Sequence, residues 1–497
     1  MATSNSLNPI KAAEFGTIQA RHLLNRAGFG GTPRQVDALA AMGLDRAVDH
    51  LVGYDSIDPT TLPGPEVDAD LIQPPSRGDR QNMRRARRDE NDEMMAEFRM
   101  QRQQQNRADR EQYRKLKRWW LSRMIATSRP LEEKMTLLWH GHFASNHRTV
   151  RDSYLLFQQN ALFRRYAVGR FSDLATGIIR DPAMIRFLDN HNNRKQNPNE
   201  NLARELMELF TLGEGNYTEQ DIKQGARALT GYTFEDNEFK FSRRAHDEGT
   251  KVILGQRGRF DGDDFVRILL QQKACPRFIS YKIYNNLVAD VTYEHLGDVP
   301  VARGVIAQMA RDLERRKYQM TPVLKRLLKS RHFYDDSVIG NKIKSPVQLL
   351  VGTVRMLNVP VRDLDTLVDA MRLMGQELFN PPSVAGWPGG RSWINTSTLF
   401  VRQNICAFLI TGKRPDNRNW TTDQIAYDPT FLVEGEPMRS HEAITDHLLS
   451  TILSGRVSTQ RRDQLMAFLD RGRGPVKRDT IVALLLLLTA MPEYQLC

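Results

Sequence analysis

The chain has 497 residues, of which 40% are hydrophobic and 26% are charged, and its formal net charge is +12. This length and composition exclude the disordered and fibrous classes and allow a large buried core. Its three cysteines, Cys275, Cys406 and Cys497, lie far apart with no CxxC pair, so neither a disulfide framework nor a zinc knuckle is expected. The start lacks an apolar core of signal-peptide length, and no stretch approaches the length of a membrane span. We therefore expect a cytoplasmic protein, with export alongside a partner left open.

The N-terminal part predicts three short helices at 16–27, 33–42 and 44–52, separated by glycines. Residues 55–75 are rich in proline and acid and indicate a linker. Residues 77–118 are packed with Arg, Gln, Asp and Glu, which predicts either one long solvated helix or a partly disordered arm.

Helical periodicity dominates the rest of the chain, and only residues 232–254 alternate in the way a small β-hairpin does. The sequence therefore predicts a mainly α protein, a large multi-helix globule with one small inserted hairpin. We expect residues 119–414 to form the core, with 1–54 packed on it. Residues 55–118 form the linker and charged arm, and 415–497 form a C-terminal helical tail.

Residues 197–213, with the sequence NPNENLARELMELFTLG, predict a helix with a carboxylate beside its buried face. At α-helical spacing the apolar residues that share one stripe are Leu202, Leu206, Leu209 and Phe210. Glu205 lies at the rim of that stripe. A half-buried carboxylate must be paired, protonated or used in chemistry. Glu205 is therefore a candidate general acid, general base or metal ligand, and the alternative is a structural pair with an arginine from a neighbouring helix.

Residues 131–143, LEEKMTLLWHGHF, contain a His-x-His pair of the kind that binds metals. In a continuous helix two such residues point about 200° apart, so His140 and His142 cannot bind one ion together unless the helix breaks at Gly141. The apolar stripe places His142 inward and His140 outward. His142 is thus either a hydrogen-bonded interior histidine or a catalytic or metal-binding residue.

His246 and Asp247 lie in or beside the predicted hairpin, followed closely by Gly249 and Lys251. Such side chains on a turn suit acid–base chemistry, although turns also collect these residues for conformational reasons. The loop 379–393, FNPPSVAGWPGGRSW, carries Trp387, Arg391 and Trp393. The two tryptophans, with Arg391 nearby, either form a platform for a sugar ring or other planar ligand or fasten the glycine-rich loop to the core.

The charged arm at 77–118 does not predict nucleic-acid binding. Its acids dilute the positive charge, and aromatic residues for base stacking are not interleaved with the arginines. A solvated helix or flexible arm is the simpler interpretation.

Four segments together resemble the bacterial family known as domain of unknown function 1800. These are HLLNRAGFGG at 22–31, MTLLWHGHF at 135–143, NENLARELMELFTLG at 199–213 with YT at 217–218 and ALTG at 228–231, and the loop at 379–393. The resemblance spans about residues 18–412 and brings no established activity or catalytic residues. It implies a bacterial protein, and family members often appear encoded beside sulfatase-like exported proteins. A periplasmic or extracellular location is therefore a second expectation.

Two function hypotheses follow. The first is a hydrolase acting on an envelope polymer or ester, in which His142, Glu205 and the His246–Asp247 turn meet near the tryptophan loop. A divalent metal held by His142, Glu205 and His246 is an open option within it. The second is a non-catalytic scaffold or maturation partner of an exported sulfatase-like protein. Convergence of these side chains at an open pocket favours the enzyme, and separate sealing of each by an arginine or a backbone carbonyl favours the scaffold.

Overall fold

The computed structural model describes residues 5–59, 62–72, 77–416, 419–422, 425–434, 440–455, 457–470 and 476–497. The predicted linker and tail each lie partly outside these residues. Within them the chain is mainly α, and the helices are joined by short loops and a few small hairpins. The predicted fold class is therefore confirmed. None of the described helices combines the length and the apolar character needed to cross a membrane.

The N-terminal helices and the charged arm come first along the chain. Their bounds are α1 Thr17–Arg26, α2 Pro33–Met42, α3 Leu44–Val52, α4 Arg77–Arg88 and α5 Asp92–Ala126. The three short helices match the prediction, and Thr32 caps α2 with Pro33 at its first position. The arm is two helices, α4 and the first part of α5. Because α5 runs for 35 residues without a break, the predicted boundary between arm and core at 118/119 falls inside it.

The central helices surround the candidate residues. They are α6 Pro130–His142, α7 His147–Val150, α8 Ser153–Arg165, α9 Phe171–Ile178, α10 Pro182–Phe187, α11 Asn201–Glu205 and α12 Glu219–Ala228. A π-helix, Leu206–Thr211, continues directly from α11. The later helices are α13 Gly262–Leu270, α14 Ala274–Leu287, α15 Pro300–Arg315, α16 Met320–Lys329, α17 Pro346–Leu357, α18 Leu364–Leu373, α19 Thr396–Thr411, α20 His441–Ile452, α21 Thr459–Asp470 and α22 Arg478–Ala490.

The β structure is more extensive than the single hairpin predicted. Two antiparallel hairpins occupy the region near 232–254, formed by β1 Tyr232–Glu235 with β2 Glu238–Phe241, and by β3 Lys251–Ile253 with β4 Gln256–Gly258. A third pair, β5 Lys413–Asp416 and β6 Asn419–Thr422, follows α19. The alternating pattern that predicted one hairpin spans parts of two hairpins, because the segment 242–250 between them is not paired as a strand.

Two clusters of buried apolar side chains form the interior. The first joins the N-terminal helices to the chain between α9 and α16, and the second joins the inner half of α5 to α17–α22. Helix α6 belongs to both, since Trp139 lies in the first cluster and Leu137 in the second. It also contacts α3, α5, α8 and α14, so nearly every side chain on it is buried.

The buried carboxylate of Glu133 ties α6 to two neighbouring helices. It is fully buried and accepts hydrogen bonds from Trp120 Nε1 at 2.9 Å, from Arg123 on α5, and from Arg164 Nε on α8 at 2.7 Å. Burial alone would raise the pKa of Glu133, but the charges and hydrogen bonds of Arg164 and Arg123 hold it below its usual range. An ionised carboxylate satisfied in this way fixes the position of α6 relative to α5 and α8.

We expect Glu133→Gln to lower the free energy of unfolding by about 2 to 4 kcal/mol, because it leaves two guanidinium groups facing a neutral amide in the interior. Urea unfolding monitored by circular dichroism measures this loss. Glu219→Gln, which breaks an exposed pair with Arg204, is the matched control and should cost less than about 1 kcal/mol. Equal losses in the two variants would contradict a structural role for Glu133.

Candidate functional site

The two histidines of α6 are both buried, in contrast to the predicted inward and outward pair. His140 Nε2 accepts a hydrogen bond of 3.1 Å from the backbone N–H of Phe379, and its ring packs against Trp120, Phe379 and Trp387. Burial lowers the pKa of His140 to about 3, so it is a neutral acceptor. The prediction that His140 points outward is wrong because the loop 379–393 covers that face of α6.

His142 presents one bare nitrogen. Its Nε2 lies 3.0 Å from the carbonyl oxygen of Phe210, and because a carbonyl only accepts, Nε2–H is the donor. The neutral ring then carries a lone pair on Nδ1, which is buried and has no hydrogen-bond partner among the described residues. Burial, reinforced by the nearby charge of Lys282, lowers the pKa of His142 to about 3. His142 is therefore a neutral hydrogen-bond acceptor with a fixed tautomer.

The carbonyl of Phe210 is available because it lies in the last turn of the helix that carries Glu205, where carbonyls have no partner within the helix. After Glu205 the α-helix becomes the π-helix Leu206–Thr211, and π-helical turns are frequent at functional sites. The buried residues are consequently Leu202, Ala203, Leu206, Met207, Phe210 and Thr211, while Leu209, expected on the buried stripe, is only partly buried. A helical wheel drawn at 100° per residue does not predict the buried face of the π-helix, because a π-helical turn contains more residues than an α-helical one.

Glu205 is half-buried, as its position at the rim of the helix predicted. Its pKa is raised, first by burial and then by the neighbouring carboxylate of Glu208, against a smaller opposing effect of Arg204. No hydrogen bond or ion pair reaches its carboxylate from the described part of the chain, since Arg204 pairs with Glu200 and Glu219 instead. The predicted pairing of Glu205 with an arginine does not form.

His246 and Asp247 are held by structural partners. His246 Nδ1 lies 2.8 Å from the carbonyl oxygen of Thr230, and Asp247 binds Arg227 through two hydrogen bonds of 2.7 and 3.2 Å. The Arg227 side chain lowers the pKa of Asp247. Both residues are thus sealed in the way the scaffold hypothesis requires.

The structure does not assemble the predicted metal site. Among the described residues, no group of three or more His, Cys, Asp or Glu side chains is arranged to hold a metal ion, so His142, Glu205 and His246 do not form one. Their separate partners give the reason, since Phe210 fixes His142 and Thr230 fixes His246 at different places in the fold.

The loop 379–393 lies against the C-terminal end of α6 at a contact between two glycines. Gly386 has φ +84°, and a Cβ added to it would lie 2.0 Å from the carbonyl oxygen of Gly141. A Cβ on Gly141 would in turn meet the ring of Trp387 at 3.3 Å. Phe379, at the start of the loop, adopts a left-handed φ of +59° that is rare for a bulky residue. Its backbone is held by His140 and by His147, whose N–H donates to the Phe379 carbonyl.

This packing borders a partly open cavity of about 190 Å³ between α1, α6, α14, α17 and the loop. Trp387 and Trp393 of the predicted platform line it, and so does His142, whereas Arg391 is exposed and outside the lining. Glu205, His246 and Asp247 are also outside it. The structure therefore brings together one candidate catalytic residue and two of the three candidate ligand-binding residues.

Four cationic side chains line the cavity: Arg26, Lys134, Lys282 and Lys342. Asp290 also lines it and pairs with Lys342. Burial lowers the pKa of Lys134 and of Lys282 to about 8, and it lowers the pKa of Lys342 and Arg26 as well. Cys497 also lines the cavity, and its electrostatic effect partly offsets the lowering of the pKa of Arg26, Lys134 and Lys342. The cavity wall is electropositive.

Four buried polar atoms of the lining residues have no hydrogen-bond partner in the part of the chain that the structure describes. They are Arg26 Nε, His142 Nδ1, Asn286 Oδ1 and Trp387 Nε1. Buried polar atoms are nearly always satisfied in proteins, so such a group at one cavity indicates that something else bonds to them. The set contains two donors and two acceptors.

The sequence patterns did not single out Arg26, Lys134, Lys282, Lys342 or Asn286. A signal was nevertheless present for Lys282, which is the one charged residue in the stretch FISYKIYN at 278–285, whereas Lys134 follows two glutamates in LEEKMTLL and gave no such signal. A lysine in such a position is either at the surface edge or buried at a site. Choosing between them requires the neighbouring helices.

Three of the four segments that carry the family resemblance line the cavity directly. Segment 22–31 contributes Arg26, segment 135–143 contributes His142, and segment 379–393 contributes both tryptophans. The fourth, 199–213, reaches it through the bond between Phe210 and His142. Regions far apart in sequence thus meet at one place.

The sequence was also compared with known proteins. The sequence model of a family described as "Protein of unknown function (DUF1800)" matches residues 22–496. Comparison with curated proteins found no match, and comparison with solved structures found none either.

We expect Gly386→Ala to destabilise the protein more than Gly389→Ala. Both glycines have positive φ, +84° and +72°, so both substitutions introduce backbone strain of about 1 to 3 kcal/mol. Only the Cβ at 386 collides with backbone, at Gly141, whereas nothing lies within 4 Å of one at 389. Differential scanning calorimetry should show the larger loss of melting temperature for Gly386→Ala, and equal losses would contradict the close contact between loop and helix.

Stability should fall in mild acid because His140 stays neutral in the folded chain. Its pKa is lowered to about 3 when folded, so below about pH 6.5 the unfolded chain binds a proton that the folded chain does not. His140→Gln keeps an acceptor for Phe379 N–H and removes the titration. Between about pH 6.5 and 5 the wild type should lose about 1 to 2 kcal/mol more than this variant in urea unfolding.

The control for replacing a histidine with glutamine is His50→Gln, at an exposed position on α3. Parallel pH profiles for the wild type and His140→Gln would show that His140 takes up protons in the folded chain.

Proposed function

The chain belongs to the DUF1800 family of proteins of unknown function, and we propose that it binds a small molecule carrying a compact anionic group in the cavity beside α6. The ligand-binding residues are Arg26, Lys134, Lys282 and Lys342, together with Trp387. His142 supplies a proton acceptor on the same wall.

The observation that carries this proposal is the group of four unsatisfied buried polar atoms at a cavity lined by four cations. A buried cation without a matching negative charge is unfavourable, and a bound anion removes that cost. An anionic ligand with one hydroxyl or similar donor would satisfy both kinds of unpaired atom. Its anionic oxygens would accept from Trp387 Nε1 and Arg26 Nε, and its donor would bond to His142 Nδ1 or Asn286 Oδ1.

The size of the cavity limits the ligand. A volume of about 190 Å³ lies below the range of about 300 to 1,000 Å³ that holds a drug-sized molecule. A small acid, or the charged end of a longer molecule, fits this space. The tryptophans then act as walls around a small group rather than as an open platform for a polymer.

The hydrolase hypothesis remains a prediction, with fewer candidate residues than the sequence suggested. Its metal set is not assembled and its His246–Asp247 pair is occupied elsewhere, so His142 is the candidate acid–base group at the cavity. An anion bound beside His142 would raise the pKa of its imidazole, since it would offset the charge of Lys282. That change would make Nδ1 a stronger base when the ligand is present.

The scaffold or maturation partner of an exported sulfatase-like protein also remains a prediction. The sealing of His246 and Asp247 supports it, and so does the exposure of the arginine-rich helix α4, which would serve as a docking surface. It differs from our proposal in one measurable respect, because a scaffold needs no small ligand in the cavity.

Isothermal titration with phosphate, sulfate and malonate tests the proposal. We expect at least one of these anions to bind at about pH 7 and to bind much more weakly at about pH 9.5, because Lys134 and Lys282, with pKa lowered to about 8, lose their charge in between. Lys134→Met should weaken binding by about tenfold or more, since it removes a desolvated charge and keeps a similar volume.

Lys115→Met is the matched control, because Lys115 is an exposed lysine on α5, away from the cavity. It should leave the affinity unchanged. Absence of binding for all three anions, or equal weakening by Lys115→Met and Lys134→Met, would overturn the proposal and favour the scaffold.

A further inference from the structure

Lys282 differs from the other cations of the cavity because its ammonium has no hydrogen-bond or ion-pair partner among the described residues. Its side chain projects from α14 and is partly buried, and its Nζ lies 4.9 Å from the centre of the Phe278 ring one turn earlier. Within the described ranges, Lys282 Nζ makes no hydrogen bond and no ion pair. An aromatic face is a weak substitute for the three acceptors that an ammonium normally binds.

The other three cations are each fixed by oxygen acceptors. Arg26 donates to the carbonyls of Val288 and Val338 at 2.7 and 2.8 Å, which anchors its guanidinium. Lys134 donates to Gln348. Lys342 donates to the carbonyl of Asn285 at 2.8 Å and to Asp290. These three form a fixed positive wall, whereas Lys282 is free to bond to a ligand.

The surroundings of Lys282 also favour its neutral form. Burial lowers its pKa to about 8, so at about pH 7.5 its neutral fraction is on the order of 100-fold larger than that of an ordinary lysine. Lysines desolvated in apolar pockets are the ones that act as nucleophiles toward carbonyl groups. The bare Nδ1 of His142 lies on the same cavity wall, and a carboxylate bound there would raise the pKa of its imidazole, so that Nδ1 can relay a proton.

We propose that Lys282 is a reactive amine that forms an imine with a small carbonyl compound bearing a carboxylate, such as a 2-oxo acid. The inference rests on the proposed function, because the fixed cations Arg26, Lys134 and Lys342 must hold the carboxylate while Lys282 reaches the carbonyl carbon. It adds a covalent step and a substrate class to that site.

The step balances without a further reactant. The lone pair of Lys282 Nζ forms a bond to the carbonyl carbon, and the π pair of the C=O bond moves to its oxygen. The two protons on nitrogen pass to that oxygen, one of them carried by His142 Nδ1. The oxygen leaves as water while the nitrogen lone pair closes the C=N bond, so one amine and one carbonyl give one imine and one water.

Reductive trapping in the full-length protein tests this inference. The protein is incubated with pyruvate and sodium cyanoborohydride, and the adduct is counted by intact mass and located by peptide mapping. We expect one reduced adduct, on Lys282, and none at that position in Lys282→Arg, which keeps the charge but cannot form an imine. Acetone, which has the same carbonyl and no carboxylate, should label Lys282 about tenfold less or weaker still.

A second variant separates recognition from chemistry. Lys134→Met keeps Lys282 and removes one of the fixed cations, so labelling by pyruvate should fall toward the level seen with acetone. Propionate, an anion without a carbonyl, should compete with pyruvate in the wild type. Melting temperatures of both variants, compared with the wild type, establish that each is folded.

The outcomes distinguish this inference from the proposed function. Binding of pyruvate in the calorimeter without an adduct, or with adducts spread equally over surface lysines, overturns the role of Lys282 and leaves anion binding standing. Equal labelling of Lys282 by pyruvate and acetone overturns the assignment of a carboxylate-bearing substrate. Absence of both binding and labelling overturns the inference together with the proposed function.

Discussion

The rest of the site depends on the burial of helix α6 on almost every side. A helix enclosed in this way must satisfy each polar group it carries with a partner from another element. Glu133 is satisfied by two arginines, His140 by the amide of Phe379, and His142 by the carbonyl of Phe210. These bonds fix α5, α8, the tryptophan loop and the π-helix around one axis. The cavity is one place where the pairing is incomplete among the described residues, and four such unpaired atoms belong to the residues that line it.

Much of the fold follows from local patterns. The helices α1 to α3, with the cap at Thr32, and the central helices lie close to where periodicity predicts them. The structure of the charged arm at 77–118 was harder to predict, because a charged sequence without a wide apolar stripe does not reveal whether it is ordered. Its inner part is ordered by tertiary contacts, since Leu116 and Trp120 of α5 are buried in the second apolar cluster. Propensity alone could not supply those contacts.

The site was predictable only in part. His142 and Trp387 stood out because their residue types are rare and chemically versatile, and both line the cavity. The placement of His140 depended on a loop more than 200 residues later in the chain, which no helical wheel contains. The stripe beside Glu205 failed at the π-helix, whose wider turn leaves no clear mark in the sequence. Lys282 was missed because its proposed role depends on the lack of an acceptor among the described residues around it, and only the packing of the surrounding helices reveals that.

The length of α5 has a mechanical consequence. A helix of 35 residues is about 50 Å long, and each of its turns is held by backbone hydrogen bonds, so it behaves as a stiff rod. Its outer half is exposed, and its inner half carries Trp120, whose ring contacts Phe379 and His140 at centroid distances of 4.9 and 5.5 Å. A force applied to the exposed end of α5 would therefore be transmitted to Phe379, the first residue of the tryptophan loop. The exposed end of α5 and the loop that lines the cavity would thereby be mechanically coupled.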